Sequence, residues 1–361
     1  MWQGPETMRP RLKAALRRVE RDPMTLQFGV HPLHTVVLTD VDDAVRRFLD
    51  LLDGTRGLGQ AAAGSGLGDA QARELVDWLA GHGLIEDAAV RPAPLAGLTT
   101  DERDRLRPEL GRLSLVSGDG GMDAMARRRA ARVRLYGAGR VGARIAALLA
   151  AAGVGHLCVV DPGTARPEDV APGGLVPAAV GLPREQGAVT LARQTAPGVD
   201  ASPGASASHL GDRAYHPDLV VLAPVEPLDP ALVHELTAEG VPHLLVTAFE
   251  GRGSVGPLVL PGLTPCLRCL DLARRDRDPA WPMVCARLGG YPPGEISCDV
   301  TLSCLVAAQA AGQALSHLDG TDVTNITWDV SPDWRWHRRT WKSHPECDCG
   351  RKDVISPTMV A

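Results

Sequence analysis

VRLYGAGRVGARIAALLAAAG (residues 133–153), followed at once by HLCVVD (156–161), decides the fold. A short apolar strand runs into Gly137-Ala138-Gly139-Arg140-Val141-Gly142, and a helix with Val141, Ile145, Leu148 and Leu149 on one face follows. The first glycine of G-x-G-x-x-G permits a tight turn and the second lets backbone approach a phosphate. The third allows close helix–sheet packing, while the helix N-terminus attracts an anion. Asp161 ends the next strand, 19 residues after Gly142, where an acid can bind ribose hydroxyls. Gly137, Gly139, Arg140, Gly142 and Asp161 are therefore the candidate nucleotide residues. A Rossmann unit that keeps its packing glycines without a ligand has the same signature.

Downstream, DLVVLAP and HLLVTAF read as strands, DPALVHELTAEG as a helix and SCDVTLSCLVAAQAAGQALSHLDG as a long small-residue helix. NITWDV and WRWHRRTW close the chain as strands. Alternating strands and helices predict a doubly wound, Rossmann-like α/β domain over 131–355. Upstream, LQFGVHPLHTVVL (26–38) reads as a strand pair. Asp40 caps a helix ended by Gly54, GLGQAAAGSGLG forms a loop or frayed helix, Asp69 caps another helix, and LIEDAAV reads as a strand. These make a small winged-helix-like module over 22–95. Residues 1–21 are expected to be a helical extension, and 96–130 a helical lead-in broken near Pro108 and at SGDGGMD.

Cys266-Leu-Arg-Cys269 and Cys347-Asp-Cys349 have 77 residues between them. Two short-spaced thiolate pairs suit a closed tetrahedral site for structural zinc. Cys158, within an apolar strand, reads as a buried small residue. Cys285, Cys298 and Cys304 stand near helix starts, as core cysteines or as thiols activated by a helix dipole.

The whole chain has 361 residues and a formal net charge of −5, with 38 Lys+Arg against 43 Asp+Glu. That balance excludes a basic nucleic-acid protein in bulk. The segment DAQARELVDWLAGHG, the recognition helix of any DNA-binding winged helix, carries Arg73 as its single Lys or Arg. No run of about 18 apolar residues exists to span a membrane. The start carries scattered charge rather than an apolar signal core, and eight cysteines then fit metal or thiol chemistry in a reducing cytoplasm. Three of the 38 cations are lysine (Lys13, Lys342 and Lys352), leaving 35 arginines.

The order of glycine loop, acid, C-x-x-C, small-residue helix and terminal cysteine pair resembles the E1/ThiF/MoeB superfamily. The resemblance covers roughly 100–352, about two-thirds of the chain, and begins at ERDRLRPELGRLSL. It implies adenylation of a C-terminal carboxylate with ATP and Mg²⁺, and a homodimer. TPCLRCLDLARRDRDPAWP and WRWHRRTWKSHPECDCG resemble the subgroup associated with thiazole/oxazole-modified microcins (TOMM). That subgroup implies a RiPP recognition element in the N-terminal module, which takes a precursor leader peptide as an added strand. It also implies a YcaO-type cyclodehydratase as partner.

Departures from the family pattern are as informative. Arg140 stands where a glycine is common, and DVAPGGLVP replaces the N-L-x-R stretch that contacts phosphates. Arg184 takes the place of the phosphate lysine. Ala223-Pro224-Val225-Glu226 lacks the magnesium aspartate, leaving Glu226 or Asp229 as displaced candidates. Adenylation depends on positioned charge around phosphates and metal. Two functions therefore stand against each other: a peptide-binding protein with a degenerate adenylation site, and an active ATP-dependent adenylyltransferase using Arg184, Glu226 and Asp229. An NAD-dependent oxidoreductase would share the glycine loop but give the four paired cysteines no role.

Overall fold

The computed structural model describes residues 8–32, 35–90, 93–204, 216–224, 228–288, 297–321 and 324–350. The chain divides into two compact units, 1–126 and 127–361.

The first unit begins with strands β1 (Pro10–Leu12), β2 (Arg18–Asp22), β3 (Thr25–Phe28) and β4 (Val36–Leu38). Helices α1 (Asp43–Leu51), α2 (Leu58–Ser65) and α3 (Asp69–Gly81), strand β5 (Ile85–Asp87) and helix α4 (Thr100–Ser114) follow. The division between units falls inside α5 (Met122–Ala130). Strands β2, β3 and β4 form an antiparallel sheet in that order, while β1 pairs antiparallel with β5. Phe28, Val45, Phe48, Leu49, Val76 and Leu79 share the core between sheet and helices.

Strands occupy 10–12 and 18–22, so the helical extension expected over 1–21 is corrected. Pro10 has no N–H to give a helix interior, and β5 and β3 supply the backbone partners. Helix α1 is capped by Asp42, whose side chain accepts the Val45 N–H at 2.8 Å, and not by Asp40. Asp40 instead has φ 58°, a left-handed position that an aspartate tolerates. Pro108 lies inside α4 without ending it.

The second unit runs β6 (Arg132–Tyr136), α6 (Gly142–Ala151), β7 (His156–Val160), α7 (Arg184–Thr195), β8 (Asp200–Pro203) and β9 (Leu219–Leu222). It continues with α8 (Pro230–Ala238), β10 (His243–Phe249), β11 (Arg252–Val259), α9 (Leu267–Arg277) and α10 (Trp281–Leu288). Helix α11 (Val300–Leu318) and strands β12 (Ile326–Val330) and β13 (Trp336–Thr340) complete it. One sheet holds all eight strands in the order β13-β12-β11-β10-β9-β6-β7-β8. The five strands from β10 to β8 are parallel, and β11, β12 and β13 extend them antiparallel. The chain winds outward from β6 through β7 to β8, then returns to lay β9 and β10 on the other side. This is the doubly wound α/β fold expected, with an antiparallel extension. The order reverses between β6 and β9, which puts the glycine loop at the topological switch point where such sheets bind ligands. Helices α6, α7 and α11 cover one face, with Ile145, Leu149, Val189, Val306 and Ala310 among the buried side chains. Leu236 of α8 and Leu267 and Leu270 of α9 cover part of the other. Among the described residues, no helix is long and apolar enough to cross a membrane.

Candidate functional site

The glycine loop is built by close approach. Gly137 has φ 92°, and a Cβ there would lie 2.0 Å from the Ala223 carbonyl oxygen at the end of β9. A Cβ on Gly142 would lie 1.9 Å from the Gly137 carbonyl oxygen. Neither position accepts a side chain without moving backbone. The loop therefore packs α6 against β6 and β9 and leaves its N-terminal end at the switch point.

Charges around this loop neutralise one another. Asp161 is buried, and its carboxylate accepts the Ala138 N–H of the loop at 2.7 Å and the Gly163 N–H at 2.8 Å. Arg184, at the start of α7, sends Nη1 to within 3.4 Å of Asp161 and donates from Nε to Asp169 at 3.0 Å. Asp169 also accepts the Arg166 N–H at 2.9 Å, while its buried Oδ1 has no hydrogen-bond partner among the described residues. Glu185 is buried beside them and accepts the Asp161 N–H at 3.4 Å. One guanidinium thus stands among three buried carboxylates.

The structure brings Arg184 and Asp161 together. Asp169, Glu185 and Arg144 belong to the same surroundings and were missed, since only burial distinguishes them from surface charges. Arg140 donates to the Glu168 carbonyl at 2.6 Å and the Val170 carbonyl at 3.3 Å. Arg144 donates to the Ser303 hydroxyl of α11 at 2.9 Å and to the Pro172 carbonyl. Both arginines therefore fasten the 168–172 segment. Asp229 is the N-cap of α8, its carboxylate accepting the Ala231 N–H at 2.8 Å. Glu226 lies outside the described residues.

The paired cysteines converge at the start of α9. Cys266 is the N-cap of that helix and Cys269 lies in its first turn. Cys266 Sγ is 3.5 Å from Cys347 Sγ and 3.9 Å from Cys269 Sγ, and Cys269 Sγ is 3.4 Å from Cys349 Sγ. All four sulfurs lie within 4.8 Å of one another. Four sulfurs at about 2.3 Å from a central ion would stand about 3.8 Å apart in a tetrahedron, so the cluster can hold a metal ion. The His344 N–H donates to Cys269 Sγ at 3.4 Å, support of the sort that orients a metal thiolate. Burial pushes the Cys266 thiol far up and the Cys269 thiol up to about 11. At Cys349 burial pushes the same way but is outweighed by the Cys266 backbone and the Cys269 and Cys347 thiols, and the value falls.

Three of the single cysteines, Cys158, Cys285 and Cys298, have thiol pKa values raised rather than lowered. Burial raises Cys298, with Arg140 opposing it, and burial raises Cys285 and Cys158 as well. Cys158 is half-buried rather than fully enclosed.

A family match over residues 112–349 takes in the glycine loop, the buried carboxylates and all four paired cysteines. The chain belongs to the ThiF family. Among curated relatives of this ThiF-family chain is the SAMP-activating enzyme E1 of Haloferax volcanii. It is 27% identical over 253 residues, covering 67% of this chain and 88% of the relative. Among solved structures, E. coli MccB with AMPCPP and MccA superposes with a TM-score of 0.71 at 13% identity, over 95% of this chain and 99% of MccB. PaaA superposes with a TM-score of 0.68 at 17% identity, over 91% of this chain and all of PaaA, 100%. The two structures show that the ThiF fold is shared.

Proposed function

We propose that this ThiF-family protein captures a precursor or modifier-like peptide and that its adenylation site is degenerate. The observation that carries this reading is the engagement of Arg184. Its guanidinium, in the place of the family's phosphate lysine, is held by Asp161 and Asp169 with Glu185 beside them. A triphosphate approaching this end of α6 would find that guanidinium already engaged by carboxylates, whereas phosphoryl chemistry needs free positive charge there. Asp161 also takes up the Ala138 N–H, one of the loop donors a phosphate would use.

The peptide is read in the 22–95 module as a RiPP recognition element, by strand addition with backbone hydrogen bonds. MccB solved with MccA and an E1 homologue named for activating a modifier support a peptide-like partner. The TOMM resemblance extends this to a leader peptide, a YcaO-type cyclodehydratase, a homodimer and a cytoplasmic setting. Zinc is the metal we assign to Cys266, Cys269, Cys347 and Cys349. Its role is structural, because four thiolates leave no open coordination position.

The intact loop packing at Gly137 and Gly142, together with MccB solved with AMPCPP, favours one other reading. In it ATP and Mg²⁺ bind at the glycine loop and a peptide carboxylate is adenylated. Calorimetry with millimolar ATP·Mg²⁺ and ATP–pyrophosphate exchange, each with and without peptide, separate the two. The scaffold reading expects peptide binding with neither ATP heat nor exchange. Peptide-dependent exchange that Gly139→Trp abolishes would overturn it.

A further inference from the structure

The C-terminal hairpin leaves an unused edge on the second unit. Strand β13 pairs with β12 on one side, and among the described residues no strand lies on its other side. Ser331 N–H donates to the Arg335 carbonyl at 3.0 Å, and Trp341 N–H donates to the Asn325 carbonyl at 2.8 Å. In an antiparallel ladder such bonded pairs recur at every second residue. Arg335, His337, Arg339 and Trp341 therefore turn their backbone groups toward β12. Trp336, Arg338 and Thr340 turn theirs outward.

Edges that must stay unpaired are commonly guarded by charge, proline or a bulge. This one carries exposed arginines at Arg335 and Arg338, and exposed tryptophans stand beside them. Trp334 is 48% exposed and Trp336 is 38% exposed. Trp334 ends the three-residue loop of the hairpin, its N–H reaching the Ser331 carbonyl at 2.8 Å, and has φ 63°. The loop geometry requires a left-handed residue there, which glycine or asparagine supplies with less strain than a bulky side chain. It does not require an exposed indole. Arg338 stands in register opposite Trp328, is exposed, and has no ion-pair partner among the described residues. Arg339, on the opposite strand face, is by contrast consumed by Asp329.

We infer that the β13 edge docks an extended acidic peptide segment of a partner as a ninth strand. The outward backbone groups of Trp336, Arg338 and Thr340 would carry the ladder, Arg338 would meet a carboxylate, and the two indoles would cover an alternate apolar side chain. A second copy of this chain fits less well, because symmetric antiparallel pairing centred on the free residues sets Arg338 against its own copy. A single-stranded nucleic acid could stack on the indoles but would leave the free row of N–H and C=O groups unpaired. The inference holds whether or not the glycine loop binds ATP.

The test uses the full-length protein and a fluorescein-labelled Glu-Val-Glu-Thr-Glu-Val-Glu peptide, followed by anisotropy. Its lysine counterpart and a labelled (dT)12 serve as competing probes. The acidic peptide should bind, more weakly as salt rises, and lose roughly tenfold or more in affinity with Arg338→Glu. Trp336→Thr should cost several-fold. Arg338→Pro, which removes an outward N–H and leaves the β12 ladder intact, should weaken binding as well. All three variants should keep the wild-type circular dichroism and melting curve. No binding, equal binding by well-folded variants, or tighter binding of the lysine peptide or (dT)12 would overturn the inference. So would a wild-type dimer in sedimentation that Arg338→Glu dissociates.

Discussion

The glycine-loop surroundings and the cysteine cluster lie in the same unit, and they handle buried polar groups in opposite ways. Around Asp161 the charges are internally spent: Arg184 is shared by two carboxylates, and the Ala138 N–H of the loop is given to Asp161. Around Cys266 nothing among the described residues completes the site. Four sulfurs face one another at 3.4–3.9 Å for the closest pairs, and burial holds the Cys266 and Cys269 thiols protonated in the bare protein. The difference teaches which site depends on a ligand. One is satisfied by the chain's own groups, while the other presents a donor set that could hold a metal ion.

The strongest way to break this contrast is to remove a sulfur. Cys266→Ser should eliminate about one equivalent of zinc per chain in metal analysis and release the 347–349 segment from α9. Binding of structural zinc by four thiolates supplies on the order of 10 kcal/mol that appears as folding free energy, so the second unit should lose most of its cooperative melting. A metal-free variant that melts like the wild type would refute the assignment.

Breaking the other site should cost less, and for a different reason. Arg184→Leu leaves Asp161 and Asp169 buried without their cation, a loss of about 3–5 kcal/mol in denaturant unfolding. Adding ATP should not change that loss if the site is degenerate. Asp169→Asn keeps a hydrogen-bond acceptor and frees part of the Arg184 charge from its carboxylate partners. It is the variant in which ATP heat should first appear if charge alone excludes the nucleotide.

How much of this was legible in the sequence follows from what each signal depends on. Strand–glycine–helix order and C-x-x-C spacing are local, so the β6–α6–β7 unit and the metal cluster could be read directly. The parallel strands β6, β7, β9 and β10 announced themselves as short apolar runs. Strand β2, RVERD, has every residue exposed and no apolar alternation, so only pairing with β3 makes it a strand. Strand β11 is recruited by β10 and β12 on either side and contains Pro257 within its span. The Asp161–Arg184–Asp169 triad escaped because Asp169 sits in the irregular ARPED segment, and its burial comes from tertiary packing. The cap falls at Asp42 rather than at the expected Asp40, and Val41 between them is buried ahead of the helix.

The smallest effect tests whether a buried charge in the first unit behaves like the satisfied triad of the second. Lys13 is buried next to β5, and burial lowers its pKa while the nearby carboxylates of Glu86 and Asp119 oppose the fall. Glu86 is already engaged by Arg11, whose Nε donates at 2.7 Å, so Lys13 is not its sole partner. The folded state therefore gives up the lysine proton more readily than the unfolded chain, whose lysine titrates near the ordinary value of about 10.4. Between the lowered folded value and that ordinary value the unfolded state binds more protons, so stability rises with pH across this window. Below this window, where the ammonium is charged in both states, the burial penalty is fully present. Lys13→Met should stabilise the first unit by about 1 kcal/mol at pH 7, the low end for a buried-charge change, and the gain should shrink as pH passes through the window. Destabilisation by Lys13→Met at pH 7 would mean that the ammonium is satisfied by Glu86 and Asp119. The first unit would then handle its buried charge as the Arg184 triad does.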